Sequence, residues 1–187
     1  MRFNQILLTL FIFCVAVCLN LSIAYAQVVS SSSADVTLPQ QIDYQLPYPG
    51  LLPDNPLYFL KEIRDNVTAF FLSKPLDKAE FDLLQSDKNV EASYLLVTQE
   101  QGKGDLAWAT FTQGQDDFDQ AIIQTTSAKK QGYSTQDISK RLYLSNQKHE
   151  QLLHALIQET NQQSSQTGKN ELDRIGAFTK EIKALQQ

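Results

Sequence analysis

Cysteine, histidine and glycine are all scarce in these 187 residues, and each scarcity removes a class of chemistry. The two cysteines, Cys14 and Cys18, both fall inside an apolar amino-terminal segment. The chain beyond residue 26 therefore has no disulfide framework, no thiolate metal site and no cysteine nucleophile. Seven glycines are too few for a repetitive fibre. Positive charge is also short: 16 Lys and Arg against 21 Asp and Glu give a net charge of −5 and a pI near 5.0. Nucleic-acid partners are excluded on that balance, because their binding is driven by cations neutralising phosphates.

What is present begins with an address. Arg2 precedes an apolar run from Ile6 to Leu21, and Ala24-Tyr25-Ala26 supplies small residues at the −3 and −1 positions before Gln27. This is the pattern of a secretory signal peptide over 1–26, cleaved on export. Uncleaved, it would be the chain's one contact with a membrane. Phe13 and Val17 stand where a lipidated cysteine needs a small residue, so lipidation is not expected. Residues 27–47, polar and opened by Ser30 to Ser33, read as a disordered Ser- and Gln-rich linker.

From Tyr44 the chain turns apolar and proline-rich. Five of the six prolines lie between Pro39 and Pro56, which excludes a regular helix there. Pro49-Gly50 suits a type II turn. Leu46, Tyr48, Leu51 and Leu52 predict a strap lying against a helical body. Asn55 and Pro56 read as N-cap and first position of a short helix, with Leu60, Ile63, Val67 and Phe70 or Phe71 on the face expected to pack.

Three long helices follow. One runs from about Leu76 to Gln101, with Ala79, Leu83, Val90, Tyr94 and Val97 on one side. The next, about Asp105 to Lys130, carries Ala107, Phe111, Gly114, Phe118, Ala121 and Thr125 in alternating steps of four and three. Gly114 in that seam points to close approach of a neighbouring helix or ring. The third starts with Ser134 as N-cap and repeats the alternation through Ile138, Leu142, Ser145, His149, Leu152 and Leu156. After Gly168 a last helix shows Leu172, Ile175, Phe178, Ile182 and Leu185.

The expected fold is all-α. It is an elongated antiparallel bundle of three long helices with a shorter N-terminal helix, the strap and a C-terminal helix. The helical domain spans 48–165 and the C-terminal helix 166–187.

Leu52-Pro53-Asp54-Asn55-Pro56-Leu57-Tyr58-Phe59-Leu60-Lys61, followed by the AEFDLLQSDKNVEA stretch, resembles a bacterial family of exported proteins. That family is known only as a domain of unknown function, with a Leu-Pro-x-x-Pro-Leu-Tyr-x-Leu-Lys opening before a long helical hairpin. The resemblance covers about 48–155. It implies an extracytoplasmic helical module and carries over no catalytic residue.

Candidate sites are few. His149 and His154 are five residues apart, or about 140° around a helix, so they cannot share an ion from one straight helix. No metal or cofactor is expected. His149, on the seam beside Ser145, is a register-setting core residue or a pH switch. Asp87 lies near the apolar line between Leu83 and Val90 and needs a partner, for which Lys88, Arg64 or Arg141 are the nearest cations in pattern. Tyr44, Tyr48, Tyr58 and Phe59 pin the strap or form a recognition surface.

With no thiol, metal pair or nucleophile motif, no catalytic residue is assigned and an enzyme is not expected. The expected function is an exported module binding an envelope protein or peptide, with self-association as a further outcome. The alternative is an envelope sensor of pH or a ligand built on His149.

Overall fold

The computed structural model describes residues 42–99, 103–160 and 165–187. The segment 1–26 expected to direct export, its two cysteines and residues 27–41 lie outside the described residues, whereas 42–47, expected as the end of a disordered linker, include Leu46, which is buried.

Among the described residues all regular structure is helical: α1 Tyr58–Phe71, α2 Pro75–Gln99, α3 Gly104–Lys130, α4 Gln136–Glu159 and α5 Ser165–Leu185. None is long and apolar enough to cross a membrane. Pro75 opens α2, where the missing N–H is no loss. Gly132, at φ +85, ends α3: its N–H reaches the Lys129 carbonyl, and the Tyr133 N–H reaches that of Ala128. Gly50 takes φ +77 in the expected turn.

Two starts differ from expectation. Asn55 Oδ1 accepts the Leu57 N–H at 2.9 Å in a turn, and the helix proper begins only at Tyr58. Thr135, not Ser134, precedes α4, and it makes no side-chain cap.

α2, α3, α4 and α5 form a bundle. Its neighbours are α2 with α3, α4 with α5, α2 with α4, and α3 with α5, while α3 and α4 meet only slightly across the centre. Cross-helix bonds give the directions. α2 and α4 run parallel, since Glu80 meets Arg141 and Asp87 meets His149. α3 and α5 run parallel likewise, since Thr112 meets Glu171 and Lys129 meets the Leu185 carbonyl. Short connections make the α2–α3 and α4–α5 pairs antiparallel.

The core has two apolar clusters. One holds Leu96, Trp108, Phe111, Leu153, Leu156 and Ile175; the other holds Leu83, Phe118, Ile122, Ile138, Leu142, Phe178 and Ile182. α5 is a full member of this body, with Ile175, Phe178 and Ile182 all buried.

Two glycines mark close approaches. A Cβ at Gly114 would stand 3.0 Å from Val90 Cγ2 and 3.1 Å from the Ser86 carbonyl oxygen, so the neighbour that needs the space is α2 and not an aromatic ring. Gly168 was expected to precede the last helix but lies inside α5, where a Cβ would meet Ile157 at 2.9 Å.

The short helix α1 is oriented against expectation. Its apolar residues Leu60, Ile63, Val67, Phe70 and Phe71 face outward, Phe70 being 83% exposed. Its polar edge, including Lys61, Glu62 and Asp65, lines a crevice shared with α2 and α3. The surface across that crevice explains the inversion. Asp82, Gln85, Asn89, Gln113 and Asp117 offer charge and amides, with Phe81 as the lone apolar exception, so nothing there could receive the greasy face.

Candidate functional site

A polar layer separates the two apolar clusters at mid-bundle. Asp87 on α2, Gln115 on α3, and Ser145 and His149 on α4 are all buried there. Asp87 Oδ2 accepts the Tyr44 hydroxyl at 2.6 Å. Its Oδ1 accepts the Ser145 hydroxyl at 2.5 Å and lies 3.0 Å from His149 Nε2. Gln115 Nε2 lies 3.3 Å from His149 Nδ1. An amide nitrogen only donates, so with Gln115 in this orientation Nδ1 is the acceptor and the proton sits on Nε2, facing Asp87. The Phe118 ring meets the imidazole edge-on at 5.2 Å.

The carboxylate therefore takes three donors in a site that excludes water, which offsets the cost of burying its charge. None of the cations expected to pair with it does so: Arg141 reaches Glu80 at 3.3 Å instead. The groups that meet Asp87 instead are the Tyr44 and Ser145 hydroxyls and the His149 imidazole. Burial first, and then the charge of Asp87, holds the Tyr44 hydroxyl well above the usual tyrosine range.

Serine, histidine and aspartate in contact suggest a nucleophile and its base, but the connectivity is different. In a relay the acid and the hydroxyl engage opposite ring nitrogens. Here Ser145 and Asp87 both approach Nε2, and the Ser145 proton is given to Asp87 rather than to the imidazole. The geometry suits fixing helix register. Asn146 adds to it, donating to the Ile175 carbonyl at 3.1 Å and to Thr179 Oγ1 at 2.9 Å across the α4–α5 contact. His154, one residue past a full turn from His149, is exposed on another face.

Of the residues singled out from sequence, the fold joins three, His149, Asp87 and Tyr44. Tyr48 is 79% exposed. Tyr58 lies at the mouth of the crevice beneath α1, with the Lys61 ammonium 4.9 Å from its ring centroid. Phe59 is half exposed and touches neither group. The aromatic residue that reaches the polar layer is Tyr44, with Leu46 buried beside it.

Gln115 was not anticipated. Phe111, Gln115, Phe118 and Ile122 form a second stripe at steps of four, three and four along α3, and that spacing was the available signal.

Comparison with protein-family models, curated proteins and solved structures finds no match to this chain.

Proposed function

We propose that this chain is an exported, non-catalytic helical module that binds an envelope protein or peptide through the outward face of α1. In this reading the three long helices form the body and the proline-rich strap fastens across them. The observation that carries it is Leu60, Ile63, Val67, Phe70 and Phe71, all more than half exposed along one side of α1, with Leu57 equally exposed at its N-cap. Isolated surface leucines are ordinary, but a contiguous apolar stripe of this length marks an interaction site. Such a stripe engages a partner groove or a second amphipathic helix through anchors at three- and four-residue steps. Export rests on Arg2, the Ile6–Leu21 run and Ala24-Tyr25-Ala26, and the Leu52–Lys61 motif supports membership of the exported helical family.

The test is a photo-crosslinking residue at position 63 in the exported chain. A discrete adduct is expected, lost in the Val67→Asp, Phe70→Asp double variant while the helical spectrum is unchanged. Adducts no stronger than those from exposed position 173 would remove the proposal. Light scattering of the purified chain separates a foreign partner from a second copy.

A second reading, a pH-responsive sensor, is favoured by one detail of the polar layer. Gln115 Oε1 is buried without a partner beside His149 Nδ1, so turning the amide over would receive a proton added there. The parent should change helicity or association between pH 5 and pH 7.5, and His149→Gln should not; identical behaviour of the two ends this reading.

A further inference from the structure

The polar edge of α1 faces a crevice of about 460 Å³, in the size range of small-molecule sites. Carboxylates reach it from all three helices: Glu62 and Asp65 from α1, Asp82 from α2 and Asp117 from α3. Lys61 is the one cation among the lining residues. An acidic cluster alone says little, but among the described lining residues the one buried side-chain atom without a hydrogen-bond partner is also an acceptor. Asp117 uses its two oxygens on Asn89 Nδ2 at 2.8 Å and Gln113 Nε2 at 3.2 Å. Asn89, only 7% exposed, has no partner for its Oδ1. The Asp82 carboxylate takes no hydrogen bond from any described residue. Four carboxylates and the unpartnered Asn89 oxygen thus outweigh the single ammonium of the lining, and an ammonium or guanidinium is donor-only.

We propose that the crevice between α1 and the α2–α3 hairpin binds an organic cation, an alkylammonium or guanidinium group. The protein already lodges one such group in the crevice wall. Lys61, 8% exposed, lays its ammonium against the Tyr58 ring. Burial lowers its pKa, more than the neighbouring carboxylates raise it. A metal ion is the poorer occupant, since no three acidic or imidazole groups among the described residues are placed to hold one.

Burial first, and then repulsion from Asp117, raises Asp82 to about 6; burial raises Asp117 to about 6 as well, against its two amide donors. Both are ionised at pH 7.5 and mostly neutral at pH 5. Lys61, Glu62 and Asp65 face them from α1, Lys78 from α2 and Asp116 from α3. Affinity for a cation should therefore fall at least tenfold between those two pH values.

The experiment is calorimetric titration of the full chain at pH 7.5 and low salt with 1,5-diaminopentane, with a short lysine peptide and with a short arginine peptide. Saturable binding of at least one is expected, and the tightest of the three assigns the source as a free amine or a peptide side chain. The Asp82→Asn, Asp117→Asn double variant should bind at least tenfold more weakly, and Asp173→Asn should match the parent. Lys61→Met, which vacates the resident ammonium, should bind several-fold more tightly, a gain that loss of folding cannot produce. The proposal is overturned by no saturable heat with any of the three at millimolar concentrations. Undiminished affinity in the double variant, or magnesium binding more tightly than all three, would overturn it too.

Discussion

Replacing Asp87 by leucine tests the polar layer most directly. The carboxylate is the common acceptor for Tyr44, Ser145 and His149, so the substitution removes three bonds at once. The three donors do not suffer equally. Tyr44 is only partly buried and can turn to water, and the Ser145 hydroxyl can bond back to its own helix. His149 is fully buried, and its Nε2–H would exchange a charged acceptor for the Ser145 hydroxyl oxygen alone, 3.2 Å away, at about 1–3 kcal/mol. Adding the lost charge-assisted bonds brings the cost to about 3–5 kcal/mol, a large share of the roughly 5–15 kcal/mol that holds a domain together. Urea unfolding followed by helical circular dichroism at pH 7.5 measures it. The companion variant changes the whole layer: Asp87→Leu, Gln115→Leu, Ser145→Ala and His149→Leu. With only the partly buried Tyr44 hydroxyl left behind, free to turn to water, it should return to within about 1.5 kcal/mol of the parent. A single variant costing under about 1 kcal/mol, or a companion no more stable than the single variant, would falsify this account of the layer.

Three further outcomes follow from the packing and the charges. Gly114→Ala gains about 1 kcal/mol of helix propensity but presses a methyl against the Ser86 carbonyl, which cannot move aside. Thermal melts should show a net loss of about 1 kcal/mol, and a smaller loss for Gly168→Ala, where the Ile157 side chain can rotate away. Asp82→Asn should stabilise the fold by about 1 kcal/mol at pH 7.5, the full shift being discounted for solvent. The sign follows from a folded pKa raised to about 6: the parent's deficit is complete above that value and shrinks as both states take up the proton, so the two proteins should converge below pH 4. Tyr44→Phe removes a bond to a buried carboxylate, worth about 1.5 kcal/mol, and limited proteolysis should then cut faster within 42–57.

The helices were legible because their seams repeat. Ala107 to Thr125 and Ile138 to Leu156 hold a four-three alternation that only a packed helix explains, and the all-α bundle follows from it. The orientation of α1 was not legible. Periodicity finds the apolar side of a helix but not what the rest of the molecule offers to cover it, and here the available surface is acidic. Gly168 misled for a related reason: in sequence a glycine that ends a helix and one that admits a neighbour look alike. Asp87 stood out from its place near the apolar line between Leu83 and Val90, where a buried carboxylate would need a partner. Its partners were not, because Tyr44 and His149 come from opposite sides of it in the chain and are brought together by tertiary packing alone.

That separation orders the steps by which the molecule can be completed. Tyr44 emerges during synthesis about a hundred residues ahead of Ser145 and His149, the two groups that share its acceptor. Until α4 has been made, Asp87 has neither of them, and the nascent α2–α3 hairpin holds a charged side chain in a half-built interior. The acceptor that seats the earliest described residues is therefore completed last, when α4 arrives to close the layer around it.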